Sequence, residues 1–153
     1  MKTKSSVFVG LDVHKDSIAV CWVKDGSQVE ETREIANEPK YIGRLFKKLE
    51  SEGDLRVCYE AGPCGYEVRR QLETMGISCE VIAPSLIPRR AGDHVKTDKR
   101  DARKLARLYR AGELTAIRVP TEKEESLRDL VLRIDIPMHK PSLIYMVSPD
   151  LLT

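Results

Sequence analysis

Apolar and other positions alternate near the start of the chain. Across residues 5–13, Val7, Val9, Leu11 and Val13 share one face, and Phe8, Gly10 and Asp12 share the other. That is the two-residue period of a β-strand. The polar break His14-Lys15-Asp16 leads into a second β-rich run over 17–23, and Asp25-Gly26 signals a hairpin turn into a third strand over about 28–35. Three consecutive antiparallel strands are the economical arrangement.

The period then changes. Tyr41, Ile42, Leu45, Phe46 and Leu49 recur at helical spacing behind Pro39, which suits a first helical turn, and residues 51–54 break that helix. A short strand over 55–59 ends at Glu60, the turn Ala61-Gly62-Pro63 follows, and a helix over about 65–75 stops at Gly76. Another strand over 77–83 is closed by Pro84. The order β-β-β-α-β-α-β predicts an α/β fold: a mixed sheet with a three-stranded meander first, strand–helix units after it, and helices packed on the sheet.

Residues 85–96 are a long connection of the kind that carries function or moves. A helix over 98–111 has Ala102, Leu105, Ala106, Leu108 and Tyr109 as its apolar positions and stops at Gly112. A last helix, over about 122–134, opens on a capping box formed by Thr121 and Glu124. Pro137, Pro141 and Pro149 then punctuate an apolar tail without a clear period.

Composition bounds what such a chain can be. With 153 residues, 41% hydrophobic and 33% charged, it has room for one domain with a real core. Its apolar runs, such as Ile18 to Val23 and Leu143 to Val147, are far short of the ~20 residues of a membrane span. No charged-then-apolar leader opens it, so secretion is not expected. Cys21, Cys58, Cys64 and Cys79 form no CxxC pair and the three histidines are scattered, which argues against a zinc site or disulfide framework and fits a reducing cytoplasm.

The net charge of +2 hides an uneven distribution. Residues 86–110 hold nine basic and three acidic residues, net +6, which leaves −4 for the remainder. Such a segment suits a polyanion partner, with a solvated helix face as the plain alternative.

Four carboxylates stand out. Asp12 shares a strand face with Phe8 and Gly10, where burial is costly without a partner or a cation; alternatively it ends the strand in solvent. Glu60 follows a strand and precedes a turn into a helix, a place where ligands gather in α/β sheets; it could equally be an exposed turn residue. Asp98 and Asp101, at i and i+3, share the start of a helix, and a capping arrangement would account for them too. Capping does not explain the surrounding Lys96, Lys99, Arg100, Arg103 and Lys104. Taken together, these are oxygen ligands of the type Mg²⁺ prefers. Two such ions ~3.5–4 Å apart can clamp the attacking and leaving oxygens of a phosphodiester, while nearby cations grip phosphates.

Smaller signals read more plainly. His14 is a strand-end polar residue rather than a ligand, and Lys15 is either a phosphate contact or a solvated turn lysine. Gly62-Pro63-Cys64-Gly65 matches no Walker-type spacing and reads as a strand-to-helix turn. Trp22 and Tyr59 are core candidates, and an aromatic fraction of 5% does not support base-stacking platforms.

The segments Phe8-Val9-Gly10-Leu11-Asp12-Val13-His14-Lys15, Tyr59-Glu60-Ala61-Gly62 and Lys96-Thr97-Asp98-Lys99-Arg100-Asp101-Ala102 closely resemble the DEDD transposases of the insertion sequence one-ten family. The third motif is the most specific; the first would fit other RNase H-like proteins. The resemblance runs over 5–131, the N-terminal domain of that family. It implies a RuvC-like, RNase H-type fold, with Asp12, Glu60, Asp98 and Asp101 as catalytic, metal-binding acids for Mg²⁺ or Mn²⁺, two ions. It also implies DNA recombination on element ends and target, directed in family members by an element-encoded bridge RNA, and a homo-oligomer in the full-length form. Beside those acids, Lys15, Arg89, Arg90, Lys96, Lys99, Arg100, Arg103 and Lys104 are the candidate nucleic-acid contacts.

After Leu127-Arg128-Asp129-Leu130-Val131 the chain departs from the family pattern. Relatives continue into a long basic helical segment and a C-terminal domain with a serine, whose motif has no match. Residues 132–153 thus read as a divergent tail on a truncated or frameshifted copy, for which independent recombinase activity is not expected. Two other readings compete with a transposase catalytic domain. One is a stand-alone RNase H-like or Holliday-junction nuclease; the other is an inactive remnant that binds nucleic acid.

Overall fold

The computed structural model describes residues 3–89 and 98–133, with the side chains of 98–100 excepted. Two compact units divide the chain, residues 1–117 and 118–153.

In the first unit the strands are β1 (Ser6–Val13), β2 (Ser17–Lys24), β3 (Glu30–Ala36), β4 (Asp54–Glu60) and β5 (Ser78–Ile82). The helices are α1 (Pro39–Leu49), α2 (Glu67–Thr74) and α3 (Asp98–Arg110). The sheet order is β3-β2-β1-β4-β5. β1, β2 and β3 pair antiparallel, while β4 joins β1 and β5 in parallel. This is the mixed α/β sheet that the hydrophobic pattern predicts, and it is consistent with an RNase H-like fold. Gly26 makes the hairpin turn in the left-handed region, at φ 76°.

Both faces of the central strand are covered. Val7, Val9 and Leu11 are wholly buried on one face, in register with Leu55, Val57 and Tyr59 of β4. α1 and α2 close that side, and Tyr59 Oη donates to the Gly65 carbonyl at 3.2 Å. Phe8 and Gly10 face the other way, where α3 packs through Ala102, Leu105 and Ala106. β2 is buried from Ile18 to Val23 for the same reason. The outer edge of β5 is occupied by residues 116–117, with Ile117 N donating to the Val81 carbonyl at 2.8 Å.

Two boundaries differ from expectation. α2 begins at Glu67 rather than near 65, because Gly65 takes φ 68° and Tyr66 is not helical. β3 begins at Glu30 rather than near 28, because the Ser27 hydroxyl accepts the Val29 N–H at 3.1 Å and prolongs the turn. Of the long connection, residues 84–86 form a short 3-10 turn and 90–97 lie outside the described residues.

The second unit holds α4 (Glu122–Arg133). Its capping box forms as read: Glu124 N donates to Thr121 Oγ1 at 3.2 Å, and Thr121 N to Glu124 Oε2 at 2.7 Å. The tail beyond 133 lies outside the described residues. Among the described residues, no helix is long and apolar enough to cross a membrane.

Candidate metal centre and nucleic-acid interface

Asp12 and Glu60 end neighbouring parallel strands. The β1–β4 register pairs Gly10 with Cys58 and Leu11 with Tyr59, so Asp12 and Glu60 are the next pair along. Their backbones are therefore at the strand spacing of about 4.8 Å. Alternation puts both acids on the face that α3 covers.

The backbone of α3 begins toward the same ends of the strands. Tyr109 meets Phe8 edge-on, with ring centroids 5.9 Å apart, while Ala102 and Ala106 lie over Gly10. The helix thus runs opposite to β1. At ~3.3 Å per strand residue and ~1.5 Å per helical residue, advancing from Gly10 to Asp12 corresponds to stepping back four or five residues along α3. That reaches the stretch from Asp98 to Asp101. Asp101 is half-buried in its first turn, and the Asp98 side chain lies outside the described residues.

The two strand-end carboxylates differ in their surroundings. Asp12 Oδ2 is 2.9 Å from His14 Nε2, and its side chain is 18% exposed. His14 is itself held by the turn: its N–H donates to the Ser17 carbonyl at 2.9 Å, and its carbonyl accepts Asn37 Nδ2 at 2.7 Å. His14 is a strand-end residue as read, but its contact with Asp12 escaped the sequence reading. The signal was available, since residues two apart in an extended chain share a face. Glu60 has no hydrogen-bonding or ionic partner among the described residues. Both carboxylates line an open cleft beyond the strand ends, together with His14, Lys15, Pro39 and Ile42.

Two close carboxylates, one without a partner, form an arrangement that a bound cation would compensate, and their oxygens are the donors a hard divalent ion takes. The donor set therefore fits Mg²⁺ or Mn²⁺. Among the described residues, no group of three or more His, Cys, Asp or Glu side chains is gathered as a complete metal site.

Three of the four thiols are sealed in the core, while Cys64 lines the cleft. Burial pushes the Cys21 thiol up to about 11 and the Cys79 thiol to about 12, and it raises Cys58 further.

The basic candidates divide. Lys15 and Arg89 are exposed, as is Arg103, and Lys104 is half-buried. Arg90 and Lys96 lie outside the described residues, as do the side chains of Lys99 and Arg100. Two further members of the basic segment serve the fold. Arg107 grips Glu30 with both Nε and Nη2, the latter at 2.8 Å, and Arg110 Nη1 donates to the Ser27 carbonyl at 2.7 Å. The Arg107 hydrogen bonds hold the Glu30 carboxyl below the usual carboxylate range.

Comparison with known proteins fits this geometry. The transposase family of the IS110-type DEDD proteins matches residues 9–135. The chain is 47% identical over 127 residues to y4qE of Sinorhizobium fredii, a protein provisionally named a transposase, covering 81% of this chain and 33% of that protein. It is 37% identical over 157 residues to the transposase for insertion sequence element IS1533 of Leptospira borgpetersenii, covering 97% of this chain and 45% of the relative. The chain thus spans less than half the length of these relatives. With the family match extending over most of its residues, the chain belongs to the IS110-type DEDD transposase family.

Proposed function

We propose that this chain carries the metal-dependent phosphodiester chemistry of a DNA transposase, with Asp12, Glu60, Asp98 and Asp101 holding Mg²⁺ or Mn²⁺, two ions. The observation that carries this reading is that Asp12 and Glu60 directly follow Leu11 and Tyr59, the last paired residues of two adjacent parallel strands, and line one cleft. Bound divalent ions would neutralise charge on the phosphodiester and favour an attacking oxygen. Asp12 is oriented for ligation by its contact with His14, and Glu60 offers an open carboxylate from the adjacent strand. Lys15, on the same cleft, is placed to hold a neighbouring phosphate. Arg89, Arg90, Lys96, Lys99, Arg100, Arg103 and Lys104 extend that grip along DNA of the element ends and target, or along a bridge RNA. The setting is the cytoplasm, and the full-length form works as a homo-oligomer.

Calorimetric titration with Mn²⁺ tests the assignment. Wild type is expected to bind, and Asp12→Ala and Glu60→Ala are expected to lose most of that binding while keeping the fold by circular dichroism. Equal titration curves for all three proteins would sink it.

A further inference from the structure

α1 presents a second cationic surface, separate from the basic segment around α3. No acidic residue lies between Pro39 and Leu49, whereas Lys40, Arg44, Lys47 and Lys48 all do. At ~100° per residue these four, with Tyr41, occupy an arc of roughly 120°. Ile42, Leu45, Phe46 and Leu49 are buried on the opposite side. All four cations and Tyr41 are exposed.

Other helices compensate their charge. In α2, Arg69 pairs with Glu73 and Arg70 with Glu67. In α3, Arg107 pairs with Glu30. Among the described residues, no ion pair engages Lys40, Arg44, Lys47 or Lys48. Lys40 and Arg44 instead stand 5.8 and 6.0 Å from the Tyr41 ring centre. The first turn of α1 also reaches the cleft with Asp12 and Glu60, through Pro39 and Ile42 on the side of the helix away from the stripe.

The geometry points to α1 as a track for the phosphate backbone of a DNA duplex leading away from that cleft. From Lys40 to Lys48 the rise is about 12 Å, close to three or four base-pair steps of ~3.4 Å. A single strand would call for successive aromatic platforms; among the described residues, Tyr41, at 38%, is the one large aromatic that is exposed. As a choice of partner this rests on the transposase reading, but its test needs no metal.

Binding of a fluorescent duplex DNA to the 153-residue chain is measured by anisotropy in chelator across a salt series. The combined variant Lys40→Gln, Arg44→Gln, Lys47→Gln and Lys48→Gln is expected to flatten the slope of log K against log salt by about 3.6, near 0.9 for each of the four lost phosphate contacts. The charge-keeping variant Lys40→Arg, Lys47→Arg and Lys48→Arg is expected to retain the wild-type slope. Thermal melts of both variants serve as the folding control, because exposed glutamines suit a helix. An unchanged slope in the glutamine variant overturns the proposal. A slope that changes for single-stranded RNA and not for the duplex overturns the choice of partner. Failure of the metal centre would appear in the Mn²⁺ titration alone.

Discussion

Gly10 has no side chain to place between β1 and α3, and this sets the height of the helix over the strand. An added Cβ would lie 2.4 Å from the Ala102 carbonyl oxygen and 2.5 Å from the Ala106 nitrogen, both backbone atoms. Gly10→Ala is expected to cost about 1–3 kcal/mol through overpacking, measured as a lower urea midpoint. An unaltered midpoint would show that α3 does not press on this strand. Asp12 and Glu60 were legible one by one, as carboxylates closing apolar strands. The role of the glycine between Val9 and Leu11 was not, because a missing side chain acquires meaning only from what occupies its space. The same holds for His14, whose contact with Asp12 depends on how Asn37 and Ser17 fold the turn.

Periodicity located the secondary elements well, since it follows from which face of each is buried. It could not show that the second half of α3 fastens the β2–β3 hairpin. Arg107 and Arg110 sit in a basic run that suggests phosphate contacts, yet Glu30 and the Ser27 carbonyl, nearly eighty residues earlier, take them. Because Arg107 lowers the Glu30 pKa in the folded state, the pair contributes stability above the unfolded carboxyl value of ~4.3. That contribution is lost as the pH falls through the lower folded value. Glu30→Gln is therefore expected to be less stable than wild type at pH ~7, by up to about 1 kcal/mol for a largely surface pair. The difference is expected to vanish in strong acid. Thermal melts at several pH values check this, and a gap that does not change with pH would contradict it.

At the scale of the molecule, the mixed sheet closes its core on both faces. Cys21, Cys58 and Cys79 are buried within it, and Cys64 is the accessible thiol. One thiol is expected to react promptly with a thiol reagent in the native chain, and all four after unfolding in urea. Prompt native reaction of three or four would mean that the core opens readily. Cysteine count and the absence of CxxC pairs spoke against disulfides, but the patterning alone did not say which thiols are sealed.

Strand and helix identities, the turn at Asp25-Gly26, the capping box at Thr121 and the four candidate acids could all be read from the chain. Each depends on residues within a few positions of one another, whose backbone preferences and faces are local. The adjacency of Asp12 and Glu60 depends on β4 pairing with β1 rather than with β3. The level of Asp98 and Asp101 depends on α3 running antiparallel to β1. Both are settled by packing between distant segments: the Val9–Val57 and Leu11–Tyr59 register on one face, and the close approach at Gly10 on the other. Local patterning thus supplied the candidate acids one by one, and long-range packing set the ends of β1 and β4, with Asp12 and Glu60, side by side.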